Sequence, residues 1–207
     1  MAIKGVLFDF DGTLTQPGAL DFARIRKEIH CPEGSAILEY INACEPGLRD
    51  ELTGVLTGHE HRAALQSVPN KGAEACIRML RSMRIQIGIL SRNSRASIIT
   101  AFKNFSCTRM EDFGLILSRE DAVPKPDPDG VHKTISHMKI SPGSLLVCGD
   151  YRYDILAGKA AGAVTLLLTN ADNRGTGAYE MPPGDPIPDF TAGDLMQVIE
   201  IVKGFRG

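Results

Sequence analysis

Five short runs rich in Val, Ile and Leu, at Gly5 to Phe8, Ile85 to Leu90, Leu115 to Leu117, Leu145 to Cys148 and Val164 to Leu168, constrain this chain more than any other feature. All but the second, which Gln86 and Gly88 interrupt, are apolar nearly throughout, the pattern of a strand buried on both faces. Segments of helical period lie between them, at Gly72 to Met83, Arg95 to Phe105, Pro128 to Met138 and Ile155 to Ala161. Strands that alternate with helices pair in parallel, so the expected fold is α/β, a doubly wound parallel sheet. Asp127 is placed to cap the third of those helices and Pro128 to take its first position, where a missing N–H costs nothing. A last segment from Thr191 to Val202, with Leu195, Val198, Ile199 and Val202 at helical spacing, closes the core. Gly158 reads as a close helix-packing point and Gly162 as a helix stop.

One interval breaks the alternation. From about Gln16 to Pro69 no strand-like run occurs, and the spacing of Leu20, Phe22, Ile25 and Ile29, then Ile37, Leu38 and Ile41, is helical. Pro32, Gly34, Pro46, Gly47, Gly54 and Gly58 punctuate it into short helices. A chain that leaves the sheet after one strand, forms helices and returns near Asn70 carries an inserted domain. The expected division is a core from 1–15 and 70–207 and a helical cap from 16–69, hinged over the ends of the strands. Thr169 to Pro188, dense in Gly, Pro, Asn and Asp, reads as a long loop.

With 23 Lys and Arg against 25 Asp and Glu, the formal net charge is -2, so no global basic field draws nucleic acid or a membrane surface. No run approaches the ~20 apolar residues of a membrane span, and MAIKGVLFDFDGT meets an aspartate too early for a signal peptide. Cys31, Cys44, Cys76, Cys107 and Cys148 are scattered and odd in number, which suits a reducing, cytoplasmic setting. His30 beside Cys31, with His59 and His61, matches no zinc-ligand spacing. His59, His61, Arg62, Arg24, Arg26 and Lys27 read as an exposed polar face of the insert. Oligomeric state leaves no mark in the sequence.

Ligands of open parallel sheets bind at the carboxyl ends of the strands. The first run ends in Asp9-Phe10-Asp11-Gly12-Thr13, the second in Ser91-Arg92-Asn93, and the fourth in Gly149-Asp150 with Asp154 following; Lys125 lies in the loop after the third. Several carboxylates gathered there repel one another unless a cation or proton neutralises them, and hard oxygen ligands favour Mg2+ over zinc or copper. Asp9 and Asp11 point the same way if the chain stays extended, so one can be a nucleophile while the other moves protons. Gly12 lets the backbone turn beside an anion. Lys125 adds a fixed positive charge, and Ser91 adds a hydroxyl and an N–H near a helix start. Such a set suits a phosphoryl group, whose equatorial oxygens gain charge in the transition state.

These residues fall in four ordered motifs, DFDGTL at 9 to 14, ILSRN at 89 to 93, KPDP at 125 to 128 and GDYRYDILAGKAAG at 149 to 162. In them the chain resembles the haloacid dehalogenase superfamily of aspartate-nucleophile phosphatases, and within it the phosphoglycolate phosphatase-like branch with a helical cap. The resemblance implies that Asp9 attacks phosphorus and Asp11 protonates the leaving group and then activates water. It implies that Ser91 and Lys125, with Gly12, Arg92 and Asn93, hold the phosphate of a small phosphorylated metabolite, phosphoglycolate-like or a sugar phosphate. Mg2+ would be bound by the Asp9 carboxylate, the Asp11 backbone carbonyl and Asp150, with Asp154 behind them and Thr13 propping Asp11. The family's dehalogenases lack the second acid of the first motif, so Asp11 argues against carbon–halogen cleavage. A phosphomutase of the same family is the nearest alternative. A phospho-accepting receiver module is another, although its nucleophile is not on the first strand.

Overall fold

A computed structural model describes residues 2–169 and 182–205 of the chain. The sheet has six parallel strands in the order β3-β2-β1-β4-β5-β6: β1 (Gly5–Phe8), β2 (Gln86–Leu90), β3 (Leu115–Leu117), β4 (Leu145–Gly149), β5 (Val164–Leu168) and β6 (Phe190–Ala192). β1 is central, with Phe8 paired to Ile89 on one side and to Cys148 on the other. Successive side chains of β1 serve opposite layers, as the pleat requires. Val6 and Phe8 pack with α4 (Ala73–Ser82), α5 (Arg95–Phe102) and α8 (Met196–Gly204), and Leu7 packs with α6 (Asp129–Met138) and α7 (Arg152–Ala160). That is the doubly wound α/β arrangement. Its winding reverses between β1 and β4, so the crevice where parallel-sheet ligands bind opens at the ends of those two strands.

Several boundaries differ from the sequence reading. Thr191 and Ala192 belong to the edge strand β6, and Gly193-Asp194 then breaks the chain; the Asp194 carboxylate accepts from the N–H of Met196 at 2.8 Å and starts α8 there. α6 begins at Asp129, with Pro128 at the cap position instead of inside the first turn. Asp127 still serves that end by accepting from the Asp129 N–H at 2.9 Å. α7 starts at Arg152, so Asp154 lies in its first turn and accepts from the Tyr151 N–H at 3.2 Å. A Cβ on Gly158 would sit 2.6 Å from a methyl of Thr165, so the residue is held to glycine by how closely α7 lies on the sheet. Residues 170–181 of the expected loop lie outside the described residues.

Between β1 and α4 the chain forms α1 (Phe22–Glu28), α2 (Ile37–Asn42) and α3 (Pro46–Gln66). Ile25, Ile29, Ile37, Ile41, Leu52 and Leu56 form a separate apolar cluster among them. The expected short helices after Pro46 are one 21-residue helix. Pro46 sits in its first turn, and Gly54 and Gly58 are inside it at ~1 kcal/mol each relative to alanine, offset by packing along the helix. His59 is no surface histidine either: it is buried and meets Glu28 of α1 at 2.8 Å. The two connecting strands run side by side, with Gln16 N–H donating to the Val68 carbonyl and Asn70 N–H to the Leu14 carbonyl, each at 2.8 Å. The far half of α3 packs on α5, where Asn104 donates to the carbonyls of Ala64 at 3.0 Å and Ser67 at 2.9 Å. No described helix is long and apolar enough to cross a membrane.

Candidate active site

β1 ends one residue before Asp9, whose N–H is the last of its ladder, donated to the Cys148 carbonyl at 2.8 Å. The chain then turns, so Asp11 reaches the site through a turn and not through the extended backbone that the spacing suggested. Phe10 anchors the turn, fully buried with Phe102 and Phe105 in the aromatic cluster behind it. Gly12 has φ +78, and a Cβ there would lie 2.1 Å from an Asp150 oxygen, so this backbone turn and the fourth motif can approach only with glycine between them. Asn70 donates to the Thr13 carbonyl at 2.9 Å and fixes the turn from the other side.

Lys125 lies at the centre, almost fully buried, its Nζ 2.6 Å from Asp9 Oδ1 and 2.6 Å from Asp154 Oδ1. Oxygens of Asp9, Asp150 and Asp154 all fall within 4.8 Å of one another. Asp11 accepts from the Asn93 amide on one oxygen and from the Thr15 hydroxyl at 3.4 Å on the other. Thr13 bonds Asp150 at 3.4 Å, so it does not prop Asp11; Thr15 has that place. Ser91 is buried at the end of β2, its N–H spent on the Leu117 carbonyl at 2.9 Å and its hydroxyl accepting from the Asn93 N–H at 3.1 Å. The following helix is capped by Ser94, which leaves the Ser91 hydroxyl outside that role. The structure thus gathers Asp9, Asp11, Ser91, Asn93, Lys125, Asp150 and Asp154 around one crevice. Arg92 departs from the group: its guanidinium bonds the Lys125 carbonyl and Glu39 of α2.

The electrostatics follow from four aspartates gathered beside one lysine, which pairs with two of them, Asp9 and Asp154. Burial raises Asp9 to about 6, with Lys125 pulling down and Asp154 pushing up. Burial also raises Asp11 to about 7, reinforced by Asp9 and by Glu60, an α3 residue that sequence inspection does not single out. For Lys125 burial acts downward, but the charges of Asp154 and Asp9 outweigh it and hold the ammonium well above its ordinary range. Glu60 is itself raised by burial and is held by Arg119, in an ion pair whose side chains are 12% and 3% exposed. The excess of carboxylates over cations, all hard oxygen donors, fits a divalent cation such as Mg2+. Cys148 beneath them is raised by burial, keeps its proton and offers no thiolate to a softer metal. Asn70 and Glu60 carried no sequence signal because each acts through a partner distant in the chain, and Thr15 carried none because it meets Asp11 only through the local turn.

A family model described as haloacid dehalogenase-like hydrolase matches residues 3–162. An uncharacterized hydrolase of Saccharomyces cerevisiae is 29% identical over 99% of this chain and 93% of its own length. Pyrophosphatase PpaX of Bacillus pumilus is 27% identical over 79% of this chain and 82% of its own. Among solved structures, a hydrolase from Pseudomonas syringae superposes with a TM-score of 0.76 at 16% identity, covering 97% of this chain and 98% of that one.

Proposed function

The chain belongs to the haloacid dehalogenase-like hydrolases, and from that membership we propose that it is a Mg2+-dependent phosphomonoester hydrolase working through an aspartyl-phosphate on Asp9. The observation that carries the reading is the single lysine held 2.6 Å from both Asp9 and Asp154 beside an acid raised to about 7. In the first step an Asp9 oxygen bonds phosphorus as the bond from phosphorus to the leaving oxygen breaks, and Asp11 gives that oxygen its proton. In the second, Asp11 takes a proton from water, the water oxygen bonds phosphorus, and the bond to Asp9 breaks to release inorganic phosphate. Lys125 and Ser91 hold the phosphoryl oxygens, with the backbone at Gly12, Arg92 and Asn93 lining the same cradle. Asp154 keeps Lys125 charged and aimed at Asp9.

Asp9, Asp150 and the Asp11 carbonyl are the groups that would hold Mg2+. The ion would offset the charge that builds on phosphoryl oxygens in the transition state. Residues 16–69 would act as a cap that excludes bulk water and meets the leaving group. The substrate class is a small phosphorylated metabolite, of phosphoglycolate or sugar-phosphate type. Kinship to a pyrophosphatase makes a phosphoanhydride the second reading. Release of phosphate from a panel of phosphomonoesters and inorganic pyrophosphate, with Mg2+ present, decides between them. Asp9→Asn is expected to abolish release while leaving the thermal midpoint within a few degrees. Isomerisation of a hexose phosphate without release would replace the hydrolase with a mutase, and full activity of Asp9→Asn would remove the nucleophile.

A further inference from the structure

Arg92 follows Ser91 directly, yet its side chain turns from the aspartates toward the seam between the insert and the sheet. Nη1 donates to the Lys125 carbonyl, Nη2 donates to both carboxylate oxygens of Glu39 at 3.0 and 2.8 Å, and the guanidinium carbon lies 4.9 Å from the centroid of the Tyr153 ring. Glu39 is on α2, so one guanidinium joins the insert, the end of β2, the start of α7 and the loop that carries Lys125. Beside this contact a cleft of about 670 Å³ separates Glu39 and Asn42 on α2, and Ala43 at its end, from Pro124 and Pro126 on the loop. Across that gap the ion pair is a direct link. Prolines on both sides of Lys125 restrict the backbone, so a pull on the lysine carbonyl moves the residue as a unit.

We propose that Glu39 is a positioning residue for the reaction: through Arg92 and the Lys125 carbonyl, the insert sets where the Lys125 ammonium stands between Asp9 and Asp154. The inference rests on the phosphatase reading above. Its consequence is that the nucleophile is fully arranged only while α2 is in place, which ties bond breaking to coverage of the site. A displacement near 1 Å at such a group costs up to ~100-fold in rate, and a partly exposed ion pair is worth about fivefold.

The test is steady-state hydrolysis of p-nitrophenyl phosphate with Mg2+ by the whole protein and its Glu39→Ala, Glu39→Gln, Arg92→Ala and doubly substituted Glu39→Ala, Arg92→Ala variants. Glu39→Ala and Glu39→Gln are expected to lower kcat about fivefold with KM within twofold and the thermal midpoint lowered by no more than about 4 °C. Arg92→Ala is expected to lower kcat further, and the double variant to match Arg92→Ala alone, because Glu39 acts only through Arg92. Glu51→Gln, an exposed change on α3, controls for lost charge. Unchanged kcat in both Glu39 variants, additive losses in the double variant, or a defect confined to KM would each overturn the proposal. Those results with an active parent protein remove this inference alone, whereas a parent protein inert on every phosphoester removes the phosphatase reading and this inference with it.

Discussion

Asp11 is the residue whose environment makes the sharpest demand on chemistry. A carboxylic acid raised to about 7 by burial and by Asp9 is half protonated at neutral pH, where it can both give and take a proton. Turnover is therefore expected to fall as pH rises above about 7 and Asp11 loses its proton. The acid limb is set by Asp9, raised to about 6 without a cation and drawn lower when one binds. The same shift governs stability. A carboxyl raised on folding stabilises the fold below its unfolded value, and the contribution is lost as pH rises through about 7. Metal-free protein is thus expected to melt lower at pH 8 than at pH 5, and Asp11→Asn to raise the pH 8 midpoint by about 3 °C or more. Scanning calorimetry in a chelator checks this; an unchanged midpoint would place Asp11 in solvent. The sequence exposed both aspartates because they sit at a strand end. It did not expose Thr15, which bonds Asp11, or the turn at 9–12, because strand period says nothing about where a strand stops.

Elements were legible where period and punctuation agreed. β1, β2 and β4 read directly as apolar runs, whereas β6 is three residues long and its Phe190-Thr191-Ala192 merges into the helical spacing that follows. Gly54 and Gly58 signal breaks locally, whereas packing against the insert's own cluster and against α5 keeps α3 whole. Its far half carries Glu60, which accepts from the Ser94 N–H at 3.3 Å and pairs with Arg119. That buried pair joins the far half of α3 to the core. Arg119→Ala leaves Glu60 buried without its cation and is expected to cost about 3–5 kcal/mol, or a midpoint lower by ~10 °C. Replacing both residues by leucine should recover most of that loss. A single variant that melts within a degree of the parent would show that the pair carries no weight.

At the scale of the whole molecule, four motifs separated by up to 140 residues meet because the sheet reverses its winding between β1 and β4. Parallel pairing is the property of the sequence from which the rest follows: alternating runs imply a parallel sheet, and a parallel sheet brings its strand ends to one edge. What lay beyond reach was the seam. Glu39 with Arg92 and Glu60 with Arg119 pair across the insert and the core at separations of 53 and 59 residues, without a period or motif to announce them. In the proposed reaction this convergence makes Asp9 the covalent acceptor of phosphorus. That role is tested most directly by acid-quenching the Mg2+-loaded protein during turnover of a phosphoester, reducing with borohydride and sequencing the first peptide. An acyl phosphate is reduced to the alcohol, so homoserine at position 9, absent without substrate, is the expected result. Aspartate surviving intact at position 9, with homoserine at another carboxylate or nowhere in an actively turning-over sample, would contradict the account.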